Sequence, residues 1–241
     1  MGVDVLKPML KALIKLADAA YRRGTPIVPD QWFDWLAARG GQEGLQGPLL
    51  SLDVPVHWQA WLEASQGPFC VQLKADGVSI NLVYRDGVFV HAHLRGGRDV
   101  TEAALRAGII TELPGDPEGL VEVRGEVIAP GLSRNACAAA LRRGDGKIKL
   151  QVLAFDLVGM RDVATVTAAV QWLKCAGFAV LDCMAAEDVA DVESMFRDFC
   201  ALQHAMPFDC DGLVVKVDSK MQQARMGHTS RAPRWAMALK P

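Results

Sequence analysis

Long apolar runs are missing from this chain of 241 residues. The longest, such as 212–217, are far too short to cross a bilayer, so no membrane-spanning helix is predicted. Lys7, Lys11 and Lys15 interrupt the apolar N-terminal stretch, whereas a secretory signal keeps its positive charges ahead of an unbroken apolar segment. These absences argue against a membrane or secreted protein, and we expect a cytoplasmic protein with no membrane partner.

Paired cysteine motifs are also missing, because none of the six cysteines belongs to a C-x-x-C pair. Zinc sites built on cysteine use such pairs, so no metal ligated in this way is predicted. Most of the cysteines lie within apolar patterns. In a reducing cytoplasm, buried free thiols are the expected state.

A basic excess is the third absence, since the net charge is only −2. A protein that contacts DNA over a long footprint usually carries such an excess. Local basic clusters do occur, at 22–23, 142–143 and 147–149. The composition therefore gives no sign of a nucleic-acid partner, and only the sequence motifs can indicate one.

Apolar residues recur with two different periods along the chain. Residues 1–45 show helical spacing in two short segments, with Asp30 as the predicted N-cap of the second, and end in a Gly-rich linker. Residues 46–241 show mainly strand alternation. A tight turn predicted at 85–87 implies antiparallel pairing. The predicted fold class is α+β, with antiparallel sheets and flanking helices, preceded by a small N-terminal helical hairpin.

The individual elements follow from the same periods. Strands are predicted at 69–74, 78–84, 88–94, 120–129, 149–157 and 213–218, and helices at 164–176 and 188–204. Gly177 follows the first of these helices as a stop signal. Because strands and helices alternate irregularly, a doubly wound parallel sheet is not expected.

A K-x-D-G motif at 74–77 carries the first chemical signal. Strand alternation places Lys74 on the polar face at a strand end, and Gly77 would let a ligand approach the backbone. A lysine is almost fully protonated at neutral pH and must lose a proton before it can attack phosphorus. These four residues are also compatible with a plain surface turn, so the motif needs support from elsewhere.

That support comes from further motifs in a fixed order. They are R-G-G at 95–97, R-G-E-V at 124–127, D-G-L-V-V-K-V at 211–217 and R-W-A-M-A-L-K at 234–240. Alternation puts Arg124 and Glu126 on one face of a strand, and it puts Lys216 opposite its apolar neighbours. Each charged side chain alone could be a solvated strand end. Three lysines on strands, together with a carboxylate and an arginine, favour a site that holds a phosphate.

This series resembles the motifs of covalent nucleotidyltransferases. The segment G-H-T-S-R-A-P-R-W-A at 227–236 and the segment S-L-D at 51–53 resemble the NAD-dependent DNA ligases in particular. The N-terminal pattern P-x-x-P-D-x-x-F-D resembles that family's small domain for the nicotinamide mononucleotide (NMN) half of NAD. The resemblance extends over nearly the whole chain. It implies a helical NMN-binding domain at 1–45 and an adenylation domain at 46–241.

The resemblance also implies a role for each matching catalytic residue. Lys74 would attack the adenylyl phosphorus and form a phosphoramide, and Asp76 would help to hold Lys74 and the ribose. Glu126 would contact the ribose and help to place Mg²⁺, the expected divalent ion. Lys216 and Lys240 would lie on the adenylyl phosphate, offset its growing charge and favour the unprotonated form of the nucleophile.

The resemblance implies that a second set of residues binds NAD. Those implied for the adenylyl half are Ser51, Leu52, Gln72, Ala75, Gly77 and Arg95, and those implied for the NMN half are Tyr21, Asp30, Phe33 and Asp34. The expected partner is nicked double-stranded DNA, contacted mainly by family domains that lie outside this sequence. A monomer is expected, and this part alone would perform the first step but seal nicks poorly.

Several positions depart from the family pattern. Gln72 stands where many relatives have a glutamate that contacts the adenine amino group, and the region after the R-G-E-V motif is shortened. Ala20-Tyr21 and Phe33 stand where main-line enzymes place Tyr-His and Tyr, and the segment A-Y-R-R-G at 20–24 resembles a shorter second bacterial ligase type. Two alternatives therefore stay open. One is an ATP-dependent polynucleotide ligase or RNA-end nucleotidyltransferase, and the other is a non-catalytic nucleotide- or DNA-binding relative.

Overall fold

A computed structural model describes residues 50–115, 117–143, 146–229 and 231–241. The helical hairpin and the NMN-binding domain predicted at 1–45 lie outside these residues. The same holds for four predicted site residues, namely Tyr21, Asp30, Phe33 and Asp34.

The described residues form eight strands and six α-helices, which we number in chain order. They are α1 (Trp58–Ser65), β1 (Phe69–Ala75), β2 (Val78–Arg85), β3 (Val88–Leu94), α2 (Thr101–Arg106), β4 (Leu120–Ile128), α3 (Arg134–Arg143), β5 (Gln151–Val158), α4 (Val166–Cys175), β6 (Met184–Ala186), α5 (Val189–Leu202), β7 (Cys210–Val217), α6 (Lys220–Met226) and β8 (Ala236–Leu239). One 3₁₀ turn, Gln203–Ala205, follows α5.

The strands form two antiparallel four-stranded sheets. Sheet A has the order β6-β1-β7-β8, and sheet B has the order β3-β2-β4-β5. One face of sheet B packs on a core with residues from α2, α3 and α4, and one face of sheet A packs on a core with residues from α1 and α5. The predicted α+β class is therefore confirmed.

Local signals explain several of the predicted elements. Arg85 pairs with Val88, and the two residues between them have positive φ, 49° at Asp86 and 77° at Gly87. Such a two-residue turn matches the twist of the flanking strands. The side chain of Asp188 caps α5 by accepting a hydrogen bond from the backbone N–H of Asp191.

Short elements were missed by the sequence analysis. The analysis predicted none of α1, α2, α3, α6 and β6. Each is ten residues long or less, so its apolar pattern spans too few turns or alternations to stand out. The N-terminal end of β5 was also wrong, because the strand begins at Gln151 rather than at residue 149.

The expectation of free, buried cysteines needs a correction. Cys70 and Cys183 form a disulfide, with 5.3 Å between their Cα atoms, which links β1 to the segment before β6. Cys137 and Cys210 are free and buried as expected, but Cys175 and Cys200 are free and exposed. Within the described ranges, no helix has the length and apolar character needed to span a membrane.

Candidate active site

Two predicted lysines meet on one carboxylate at one end of the strands of sheet A. Lys74 Nζ lies 2.8 Å from Asp211 Oδ1, and Lys240 Nζ lies 2.6 Å from Asp211 Oδ2. Partial burial alone would raise the pKa of Asp211, but the two lysines hold it below its usual range. We name Lys74, Asp211 and Lys240 the open cluster, because their side chains remain 24%, 33% and 42% exposed.

Backbone geometry brings the open cluster together. The pairing of β1 with β7 is irregular between Leu73 and Ala75, so Lys74 lies at a bulge. Across from it, Gly212 has φ of 156°, and a Cβ there would meet the carbonyl oxygen of Leu239 at 2.0 Å. Only glycine fits where β7 approaches the end of β8 this closely. Lys240 is the next residue after β8, so this approach brings Lys240 close to Asp211.

The acidic residue of sheet B lies next to this cluster. Glu126 Oε2 accepts a hydrogen bond of 2.9 Å from the hydroxyl of Ser79, which in turn accepts one of 3.0 Å from Arg95. Burial raises the pKa of Glu126, while the Ser79 hydrogen bond and the charges of Arg95 and Lys74 oppose that rise. Arg95 also donates to Ser51 Oγ at 3.0 Å. Ser51, Arg95 and Glu126 thus form one connected group near Lys74.

The glycine of the K-x-D-G motif has a packing role beside this group. A Cβ at Gly77 would meet the Val127 carbonyl oxygen at 2.3 Å and Glu126 Cγ at 2.9 Å. The chain therefore enters β2 in close contact with β4, which sets Glu126 next to the motif. The carboxylate of Asp76 lies 4.0 Å from the guanidinium of Arg134, whose charge also acts on Glu126 and Arg95.

Gln72 lies on β1 two residues before Lys74, and its side chain is 1% exposed. Its amide nitrogen donates to the carbonyl oxygens of Leu181 at 2.6 Å and Phe155 at 3.4 Å. Its amide oxygen is buried and accepts no hydrogen bond from the described residues. The donors of this amide are therefore used internally, and its buried acceptor has no partner among the described residues.

Lys216 has a different environment from the other two lysines. It pairs with Cys70 on the face of sheet A that carries Gln72, so it lies beyond Gln72 from Lys74. Its ammonium donates to the Phe155 carbonyl oxygen at 3.0 Å and lies 4.8 Å from the centre of the Phe155 ring. Burial lowers the pKa of Lys216 to about 8, and the nearby Asp156 opposes this shift.

Asp156 is itself held by a further lysine. Lys220 Nζ lies 2.9 Å from Asp156 Oδ1 and also donates to the carbonyl oxygen of Leu157. Asp156 is 4% exposed and Lys216 is 5% exposed. We name Lys216, Asp156 and Lys220 the closed cluster.

The sequence analysis and the structure can now be compared for this site. Lys74, Lys240, Glu126, Arg95 and Ser51 come together. Lys216, which was expected to lie with Lys74 and Lys240, instead contacts Phe155 and lies beyond Gln72. Ala75 instead packs in a small apolar cluster, and Leu52 is half-buried beside Ser51. Three partners were not assigned, namely Asp211, Asp156 and Lys220. Asp211 could have been found, because it begins the motif that contains Lys216, but no local pattern marks the other two.

Comparison with known families gives one match over most of the chain. A family described as the NAD-dependent DNA ligase adenylation domain matches residues 56–133 and 131–241. The DNA ligase 1 of Deinococcus deserti is 35% identical over 204 residues, which cover 71% of this chain and 29% of the relative. The DNA ligase of Kocuria rhizophila is 34% identical over 225 residues, covering 75% of this chain and 29% of the relative. The chain thus spans about three tenths of the length of these relatives.

Solved structures give the same architecture at lower identity. An archaeal ATP-dependent RNA ligase is 16% identical with a TM-score of 0.54, covering 80% of this chain and 48% of that one. The ligase domain from M. tuberculosis LigD is 20% identical with a TM-score of 0.51, covering 79% of this chain and 60% of that one. At these identities the likeness is one of fold alone.

Proposed function

Since this chain belongs to the family of NAD-dependent DNA ligase adenylation domains, we propose that it transfers the adenylyl group of NAD to Lys74. The amine of Lys74 attacks the adenylyl phosphorus, the new N–P bond replaces the P–O bond to NMN, and NMN leaves with that electron pair. The Asp211 carboxylate, 2.8 Å from Lys74 Nζ, is the acceptor closest to the proton that must leave first. This contact within a group of cations carries the proposal, because it supplies a nucleophile and its counter-charge in one accessible place.

The surrounding cations fit a phosphate that gains charge as it reacts. Lys240 shares Asp211 with Lys74, so a phosphate oxygen placed beside Asp211 would meet both ammonium groups. Arg95 is anchored by Ser51 and Ser79 on the side of Glu126 and would contact the ribose or the phosphate. Fixed cations of this kind stabilise a transition state more than they would in water, because they need no reorganisation.

Gln72 supports adenine as the base. Its free amide oxygen is buried and can accept the 6-amino hydrogen of adenine, while its amide hydrogens are already bound to Leu181 and Phe155. A base with a 6-oxo group would bring a second acceptor to the same point and leave both unsatisfied. The replacement of the family's usual glutamate by glutamine therefore keeps the acceptor and removes a charge.

Magnesium fits the donor set, although the described residues contain no cluster of three or more acidic, histidine or cysteine ligands. Glu126 and Asp211 are two carboxylates near Lys74. Mg²⁺ typically takes one or two carboxylates together with substrate phosphate and water, rather than a complete protein cage. These two residues would hold it, and it would supply further positive charge to the phosphate oxygens.

The later steps and the NMN site are also proposed. The adenylyl group would pass to a 5′-phosphate at a nick in duplex DNA, with most DNA contacts supplied by further domains. Tyr21, Asp30, Phe33 and Asp34 would bind NMN, which is what would make NAD the donor.

Intact-mass spectrometry tests this proposal. The protein is incubated with Mg²⁺ and either NAD or ATP, and the gain of one AMP is followed over time. NAD should give the adduct, ATP should give little, and Asp30→Ala should slow the reaction with NAD while leaving the trace reaction with ATP unchanged. A better yield from ATP would support the alternative donor, and tight NAD binding with no adduct would support a non-catalytic relative.

A further inference from the structure

Two lysines reach from sheet A and α6 to one short segment of β5. Lys216 Nζ donates to the Phe155 carbonyl oxygen at 3.0 Å, and Lys220 Nζ lies 2.9 Å from Asp156 Oδ1 and donates to Leu157 O. We propose that Asp156 and Lys220 are a positioning pair that holds this segment against β7 and thereby fixes the Lys216 ammonium for the adenylyl phosphate. This inference rests on the proposed function, since it concerns the cation that serves that reaction.

The connectivity favours positioning over a passive ion pair. Asp156 follows Phe155 directly, so any movement of Asp156 moves the carbonyl oxygen that binds Lys216. Lys220 begins α6 only four residues after Lys216. Lys216 binds Phe155 and Lys220 binds Asp156, and each pair is linked to the other through the chain. Each lysine therefore limits the movement of the β5 residue that the other lysine binds.

Because Asp156 is buried, its ionised form depends on the charges and hydrogen bonds of its neighbours. Asp156 is 4% exposed, and its Oδ1 atom also accepts the backbone N–H of Leu157 at 2.8 Å. A carboxylate in such a place is strongly unfavourable unless cations and hydrogen bonds compensate it. Although burial alone would raise the pKa of Asp156, the charges of Lys220, Lys216 and Arg124 hold it below its usual range, so the carboxylate stays ionised near neutral pH.

The same charges act on Lys216 in opposite directions. Burial is the largest effect on its pKa, which falls to about 8. Asp156 on β5 raises this pKa, whereas Lys220 on α6 and Arg124 on β4 lower it. On β1 the facing residue is Cys70, which is in a disulfide and does not titrate. Lys216 can offset phosphate charge only while it is protonated. The Asp156–Lys220 pair therefore sets the highest pH at which Lys216 can do so.

Opposite shifts of a pH profile follow from this arrangement. In Asp156→Asn the anion is lost, Lys216 gives up its proton at lower pH, and the alkaline fall in the adenylylation rate should move down by about one pH unit. In Lys220→Met a cation next to Lys216 is lost while Asp156 keeps its charge, so Lys216 keeps its proton to higher pH. The alkaline fall in the adenylylation rate should therefore move to higher pH. A loss of folding would lower the amount of active protein and would not shift the two profiles in opposite directions.

The test is a single-turnover measurement on the full chain with NAD and Mg²⁺, read as AMP gained by mass, from about pH 6.5 to 9.5. Asp182→Asn and Lys174→Met are matched controls, because Lys174 and Asp182 form a contact of 2.8 Å that is largely exposed. Both controls should keep the profile of the unmodified protein. The double variant Asp156→Asn/Lys220→Met loses one charge of each sign and should move the profile less than either single change.

The outcomes separate this inference from the proposed function. If the unmodified protein gains no AMP, the proposed function fails. If it gains AMP but Asp156→Asn and Lys220→Met keep its alkaline profile, or shift it in the same direction, the positioning pair is overturned. If Asp156→Asn does not fold, as judged by circular dichroism, the upward shift in Lys220→Met decides alone.

Discussion

The open and closed clusters are built from the same residue types, two lysines and one aspartate. The open cluster lies on sheet A, whereas the closed cluster joins β7 and α6 to β5 of sheet B, and its Lys216 and Asp156 are much more deeply buried. In the open cluster, Asp211 contacts both Lys74 and Lys240, and all three side chains are accessible to solvent. In the closed cluster, Lys216 and Asp156 are almost fully buried, and the two lysines donate hydrogen bonds to backbone oxygens of β5. Gln72 lies between Lys74 and Lys216 on the shared face.

The difference separates chemical reactivity from positioning. Exposed ion pairs contribute little to stability, so the contacts of the open cluster can be exchanged for a phosphate at small cost. A buried charge cannot be uncovered so easily, because its partner would be left without compensation. The open cluster is therefore suited to covalent chemistry, and the closed cluster is suited to holding one cation in place.

The largest expected difference between the clusters is in AMP transfer. Lys74→Met should abolish the adduct, because the acceptor nitrogen is lost. Lys220→Met removes the same charge from the closed cluster and should still give the adduct with NAD. Intact mass after prolonged incubation measures both. An adduct on Lys74→Met would mean that another lysine is the acceptor and that the open cluster is not the reactive one.

The next difference is in stability. Asp156→Asn should lower the free energy of unfolding by about 3–5 kcal/mol, because it leaves the buried Lys216 and the partly buried Lys220 without their counter-charge. Lys240→Met should lower it by less than about 1 kcal/mol, since the Lys240 side chain is largely in water. Urea unfolding at neutral pH measures both values. Equal losses in the two variants would contradict the assignment of one cluster as closed.

Donor discrimination should show a smaller effect at the residue between the clusters. The unmodified protein should prefer NAD over its hypoxanthine analogue by about 10- to 100-fold, because only adenine donates a hydrogen bond to the free oxygen of Gln72. Gln72→Leu should lose most of this preference. Single-turnover rates with the two dinucleotides test it, and an unchanged preference in Gln72→Leu would place the base elsewhere.

Acid sensitivity should show the smallest effect, in the polar row that extends the closed cluster. His93, Asn81, Arg124 and Asp156 pair in sequence across sheet B. Burial, followed by the charges of His91 and Arg124, lowers the pKa of His93 to about 4, against a weaker opposing effect of Asp99.

A folded-state pKa below the ordinary value of about 6.5 means that the His93 contribution to stability is fully present above pH 6.5. It is lost as pH falls through about 4, and it amounts to less than about 3 kcal/mol. His93→Gln should therefore flatten the decline in unfolding free energy over this range, as measured by urea titrations at several pH values. An identical decline in both proteins would contradict a buried neutral His93.

Much of the site follows from strand alternation and motif order. Alternation placed Lys74 on one strand face with Gln72 and placed Lys216 opposite its apolar neighbours. The motif series grouped Lys74, Lys216, Lys240 and Glu126, and of these Lys216 lies apart against Phe155. Local turn signals also predicted the hairpin at 85–87. The closed cluster could not be predicted, because Asp156 and Lys220 are separated by 64 residues. Asp156 lies on β5 of sheet B and Lys220 begins α6, which follows β7 of sheet A, so their contact depends on how the two sheets pack.

The amino-acid order alone determined which side chains can share a strand face, because that depends only on a period of two residues along each strand. The motif series and its resemblance to covalent nucleotidyltransferases identified the candidate nucleophile and the set of charges available to it. The tertiary structure decided which of those charges meet, which are exposed, and that Cys70 bonds to Cys183 across 113 residues. Burial and pairing between distant strands depend on packing of the whole chain, and no local pattern contains that information.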